Sequence, residues 1–257
     1  MNGLFTETLI EFLDRKQHWL LMLITLISTG IIYYAVADKI GLVENEIATE
    51  ASLVQSATNS LSNFMTFLVM LSVISTIFLI PRISRKGRVE FYLSKPITRT
   101  NLFYGKLVSL SLIYGAFILF CGSVVAGVLS ALNVLAFSNA VYIIFTGLVS
   151  FLVWFVVVSF IGFQLRTIPM CLTVFGGLWA IQVLLIHRKE WGIENSIAKL
   201  AVDALYHILP KTSEMSVISV QAALGAESAN YLPVFTSLLL AGILLYTSHS
   251  VFNRRDF

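Results

Sequence analysis

The chain has 257 residues, of which 57% are hydrophobic and only 12% charged, with a net charge of +3. A soluble domain carries roughly a quarter charged residues, so this composition excludes a water-soluble globular protein and describes an all-α integral membrane protein of one domain, residues 1–257. The small net charge points away from nucleic acid, and Cys121 and Cys171 lie inside apolar runs, as small buried hydrophobes rather than a disulfide framework.

Residues 3–16 read as an amphipathic helix, with Phe5, Leu9, Phe12 and Leu13 on one side and Glu7, Glu11 and Asp14 on another. It is too short and too charged to span, and is expected to lie in the membrane interface as an elbow before the first span; the alternative is a frayed tail. The first span is 19–37, with Trp19 at one interface and Tyr33 and Tyr34 near the other. Ala35-Val36-Ala37 before Asp38 resembles a signal-peptide cleavage site, but three upstream acids and an overlong apolar run argue against cleavage. Residues 38–59 are polar and acidic, and suit the outer side. The second span is 60–80, followed by a basic loop, 81–102, and a third span, 103–131, longer than the roughly 20 residues that crossing needs. A short outer turn leads to the fourth span, 140–163, a tight inner turn, Gln164 to Thr167, and the fifth span, 168–186.

The outer loop 187–231 is patterned. Ile193, Ile197, Leu200, Ala201, Leu205 and Ile208 make a helical stripe that Pro210 ends, and a second short helix runs from Ser213-Glu214 to Gly225. This pair either dips into the outer leaflet, caps a pathway, or forms an ordered surface loop. The sixth span, 232–252, and a basic tail follow.

Residues 81–106 hold seven of the seventeen lysines and arginines and one acid, Glu90. The positive-inside rule puts this loop in the cytoplasm. Six spans with both termini cytoplasmic then place twelve of the seventeen basic residues inside and nine of the fourteen acids outside. Within the loop, Ser84 to Ser94 is expected to be helical, with Val89, Tyr92 and Leu93 on one face. Pro96 stops it, and Thr98 or Thr100 caps the next helix. A plainer reading is a solvated basic loop that fixes topology and touches lipid headgroups.

Gly87, Glu90, the Leu93-Ser94-x-Pro96 break, Arg99 and the Gly105-Lys106 pair resemble the cytoplasmic loop of ABC exporter permeases of the type-2 family. Within that family, Leu209-Pro210-Lys211-Thr212-Ser213-Glu214 looks most like the copper-maturation and gliding-motility permeases. Arg85-Lys86 and Arg88 depart from the pattern, which commonly has an acid before the glycine and a threonine after it. The resemblance implies that the loop helix is a coupling helix docking on a separate ABC ATPase. Arg85, Glu90 and Arg99 would be its polar contacts and Tyr92 and Leu93 its apolar plug, with Gly87, Ser94 and Pro96 completing the coupling motif. It further implies a dimer, with a second copy or a sister permease, two ATPase copies that bind the ATP, and a place in the cytoplasmic membrane of a prokaryote.

The residues themselves offer no chemistry. Gly105-Lys106 is followed by Leu107 and preceded, five residues back, by Thr100, so it is not a phosphate loop, and no cofactor is expected in this chain. No nucleophile motif, metal spacing or catalytic carboxylate pair occurs, so the chain is not expected to be an enzyme itself. No Asp, Glu, Lys or Arg sits mid-span, which argues against ion-driven transport. The mild polar set in the spans includes Asn63, Ser72, Thr146, Trp154, Gln182 and Tyr246, and suits an amphiphile or peptide better than a bare ion. The competing class is a membrane scaffold or membrane-embedded enzyme without transport activity.

Overall fold

The computed structural model describes residues 2–14, 17–44, 49–83, 89–90, 92, 94, 97–165, 167–186, 188, 196–225 and 230–254. Among them the regular structure is all helix, with no strand. The elements are α1 (Asn2–Asp14), α2 (Gln17–Glu44), α3 (Glu50–Ile77), the single turn α4 (Ile80–Ile83), α5 (Arg99–Ala131), α6 (Phe137–Leu165), α7 (Ile168–Ile186), α8 (Ser196–Ile208), α9 (Thr212–Ala223) and α10 (Leu232–Asn253). Six of these, α2, α3, α5, α6, α7 and α10, are long and apolar enough to cross a membrane. The chain is therefore a multi-pass membrane protein, whose helices close their own backbone hydrogen bonds as lipid requires.

Local chemistry sets the ends. Thr49, in an extended conformation, caps α3 by accepting the Ser52 N–H at 3.3 Å. Thr98 does the same for α5, accepting from Asn101 at 3.2 Å, so of the two candidate threonines it is Thr98 that caps. Asn133, in the left-handed region (φ 56°), lets the Val134 N–H reach the Leu129 carbonyl at 3.2 Å and turns the chain into α6. Residues 38–59, read from their polarity as a segment between spans, are mostly helix: α2 runs on to Glu44 and α3 starts at Glu50. Loss of apolar character marks where lipid would end; a helix needs only its own hydrogen bonds to continue. The Lys39 ammonium donates to Ser56 Oγ at 2.6 Å and ties the two extensions together.

α6 is the axis of the bundle, packed against α3, α5, α7, α9 and α10. The most apolar stretches of α3, α5 and α6 are each 56% buried, against 11% for α2 and 17% for α10, so three helices form the centre and the others flank it. The central three meet at Met65 of α3. A Cβ on Gly147 of α6 would lie 2.6 Å from Met65 Cε, and one on Gly122 of α5 would lie 2.9 Å from Met65 Sδ. Met65 is only 2% exposed and has little room to swing, so the bare glycines let the helices approach.

The patterned stretch before the last span forms the two expected helices, but they differ in depth. α8 stays peripheral, with Leu200 and Leu205 exposed. α9 enters the bundle against α6, α3 and α10, burying Met215, Ile218, Ser219 and Ala223. α9 is thus part of the bundle and not a surface loop.

If Met65 is the meeting point, Gly147→Leu should destabilise the protein in detergent by about 1–3 kcal/mol through overpacking. Gly242→Leu, where an added Cβ meets nothing within 4 Å, should leave the melting temperature nearly unchanged. Equal melting temperatures for the two variants would contradict this packing.

Candidate functional site

α1 and the end of α10 both pack against the start of α5. Arg99 Nη1 donates to the Asn253 carbonyl at 3.3 Å, tying the entry of α5 to the exit of α10. Beside it, the Phe103 ring packs 5.2 Å from Phe163 and 5.3 Å from Phe252, and Asn253 Nδ2 lies 2.8 Å from His249 Nε2. On the other side of α5 lies α1, which buries Leu4, Thr8 and Phe12. Gly105 permits that contact, since a Cβ there would sit 2.7 Å from Leu4 Cδ1.

The next residue of α5 carries a charged knot. Lys106 is only 2% exposed, and its ammonium reaches Glu7 Oε2 at 3.3 Å and Thr8 Oγ1 at 3.3 Å, both on α1. The Tyr92 hydroxyl donates to the other carboxylate oxygen of Glu7. The Tyr92 ring lies under the Lys106 ammonium, 5.2 Å from it. Three segments distant in sequence, α1, the stretch around Tyr92 and α5, therefore share one ion pair.

The stretch around Tyr92 has a buried and an exposed side. The Ser94 N–H donates to the Glu90 carbonyl at 2.9 Å, closing a helical turn. Val89 and Tyr92 face inward, 0% and 3% exposed, while Glu90 and Ser94 are exposed. Tyr92, expected as part of an apolar plug, packs within its own chain, its hydroxyl on the Glu7 carboxylate and its ring beside the Lys106 ammonium. Val89 and Tyr92 share a face, as their spacing predicts. Arg99 is partly buried on the Asn253 carbonyl. Arg85, Gly87, Leu93 and Pro96 lie outside the described residues.

Away from the knot, the start of α9 is a second crossroads. Thr212 Oγ1 accepts hydrogen bonds from Trp154 Nε1 of α6 at 2.9 Å and from Gln182 Nε2 of α7 at 2.8 Å. The Lys211 N–H donates to Ser237 Oγ of α10 at 2.9 Å. α8 is held by a stacked cluster: the Arg188 guanidinium lies 3.3 Å from the Tyr206 ring centre and pairs with Asp203 at 3.2 Å. The Lys211 ammonium sits 4.6 Å from the same ring, and the Tyr206 hydroxyl donates to Glu214. Burial, then the Glu214 carboxylate, pushes the Tyr206 phenol up to about 12, so it remains a donor well above neutral pH.

Between α3, α6, α7 and α9 lies a cavity of about 80 Å³ with Ser62, Ser150, Ser216 and Trp154 in its walls. A wider groove of about 560 Å³ between α3 and α9 shares Ser62 and Ser216 with it. Sequence reasoning named Asn63, Thr146, Trp154 and Gln182 separately, and all four line these spaces or hold α9 beside them. It missed Lys106 as a buried cation; the one available signal was a lysine just inside an apolar run, with an acid on an amphipathic helix to receive it. Among the described residues, no group of His, Cys, Asp and Glu could hold a metal ion.

No protein-family model matches the chain, and no curated protein matches it either.

The knot has an asymmetry that can be tested. Glu7 is 40% exposed, so Lys106→Met leaves a carboxylate that water can reach, and should cost about 1–2 kcal/mol. Glu7→Gln leaves a buried ammonium without its counter-charge and should cost about 3 kcal/mol or more. The Glu7 variant should thus melt lower in detergent; the reverse order would contradict the pairing.

Proposed function

We propose that the chain is the membrane-spanning permease subunit of an ATP-driven ABC exporter in the cytoplasmic membrane of a prokaryote. It would work as a dimer with a second copy or a sister permease, with two copies of a separate ATPase that bind the nucleotide. Both termini and the basic loop are cytoplasmic in this reading, as the distribution of lysine and arginine supports. α1 is the elbow: it sets Leu4 and Phe12 against the bundle and leaves Phe5, Ile10 and Leu13 exposed, an outer apolar edge suited to the interface.

The observation that carries the reading is the mounting of the loop turn at Glu90. Val89 and Tyr92 hold it to the bundle, the Lys106 knot fastens it to α1 and α5, and Glu90 and Ser94 are left exposed. A loop that only fixed topology would have no need of a buried ion pair beneath it. A segment that receives a push does need one, since rigid attachment turns a local displacement into rocking of whole spans. Arg99, fixed to Asn253, extends the same attachment to α10.

The test is Glu90→Lys in the chain reconstituted with its ATPase. Glu90 is exposed, so insertion and melting temperature should survive while permease-stimulated ATP hydrolysis falls at least tenfold, the loss of about 1.4 kcal/mol of coupling. Undiminished stimulation would remove the loop from the ATPase contact.

A further inference from the structure

The cavity and groove beside α9 share an unusual chemistry: among the described residues, their polar lining is hydroxyl and amide, without charge. Ser62, Ser150, Ser213, Ser216 and Ser219 supply hydroxyls to the cavity, and Gln55, Asn59, Asn63 and Gln221 supply amides to the groove. Among the described residues, no Asp, Glu, Lys, Arg or His lines either space. This is not because charge is lacking nearby. Lys211 and Glu214 flank the serine-rich start of α9, but both are turned to α8, where Lys211 lies over the Tyr206 ring and Glu214 accepts from its hydroxyl. The helical period then leaves Thr212, Ser213, Ser216 and Ser219 toward the cavity. The charged residues of this stretch are segregated into the α8 clamp, and the neutral ones face the space.

The walls are also two-sided. In the groove, Val217 and Val220 of α9 and Leu224 at its C-cap oppose the amides of α3, and Val217 and Leu224 are exposed. Deeper in, Trp154, Phe175 and Trp179 stand beside the hydroxyls. A charged ligand entering here would lose water and find no counter-ion, whereas a neutral polar group would exchange water for hydroxyl and amide partners.

We propose that this space is a binding site for an uncharged amphiphile whose polar part is rich in hydroxyl or amide groups, and that it discriminates against charged ligands of the same size. As a statement about transported cargo, this rests on the permease reading; as a statement about binding, it needs no ATPase.

The experiment titrates the full chain in neutral-lipid nanodiscs with three probes of one chain length, following tryptophan fluorescence: octyl glucoside, octyl glucuronide and octyltrimethylammonium. The glucoside should bind at least about tenfold more tightly than either charged probe, a difference of about 1.4 kcal/mol. Asn63→Asp adds a carboxylate to the groove at an exposed position with almost no change of shape, and should bring the cationic probe to within about threefold of the glucoside. Ser216→Trp, at the wall shared by groove and cavity, should abolish glucoside binding. Equal affinity for charged and neutral probes overturns the proposal, as does an Asn63→Asp variant that folds normally and shows unchanged selectivity. Lost binding with intact ATPase stimulation would remove this site alone, and intact selective binding without stimulation would remove the permease reading alone.

Discussion

The ammonium of Lys106 is held among apolar helices, where a cation persists only with a counter-charge and enough hydrogen-bond acceptors. Glu7, Thr8 and the Tyr92 ring meet that requirement, and each is delivered by a different part of the chain from the one that carries the lysine. The position of α1, the orientation of the turn at Val89–Glu90 and the start of α5 are thereby fixed together. Moving one of them away exposes or orphans a charge, which costs far more than a lost apolar contact. In the proposed permease this is the useful property of the knot: the turn that bears Glu90 cannot shift without taking α1 and α5 with it.

The two polar sites use polarity in opposite ways. Where α1 meets α5, charge is buried and paired across elements. Where α9 enters, charge is drawn aside into the Arg188–Asp203 and Tyr206–Glu214 contacts, and the described lining is left with hydroxyls and amides. Thr212 links the central α6 and the flanking α7 to α9 through Trp154 and Gln182, so the same hydrogen bonds that seat α9 also shape the cavity. The six spans alone would form a bundle; α9 gives it a lined space.

How much of this was legible in the sequence follows from which signals are local. The spans are local, because twenty or so apolar residues suffice to mark one, and the cap at Thr98 and the close of α9 at Gly225 are local too. The ends of α2 and α3 were misplaced because polarity was taken for an end of helix, and the extensions to Glu44 and from Glu50 are polar helix. The depth of α9 is not local: its stripe predicts a helix but not whether that helix lies on the bundle or within it, which depends on gaps left by α3 and α6. The same holds for Tyr92, whose spacing with Val89 predicts a shared face without saying whether the face turns to a partner or to Glu7.

The central claim is that the exposed turn at Glu90 meets a separate ATPase. The most direct measurement is purification of the protein from its native host in mild detergent, with mass spectrometry of what accompanies it. The account predicts an ATPase of the ABC class in stoichiometric amount. A well-folded protein that arrives without one would contradict it, and would leave the basic loop as a determinant of topology alone.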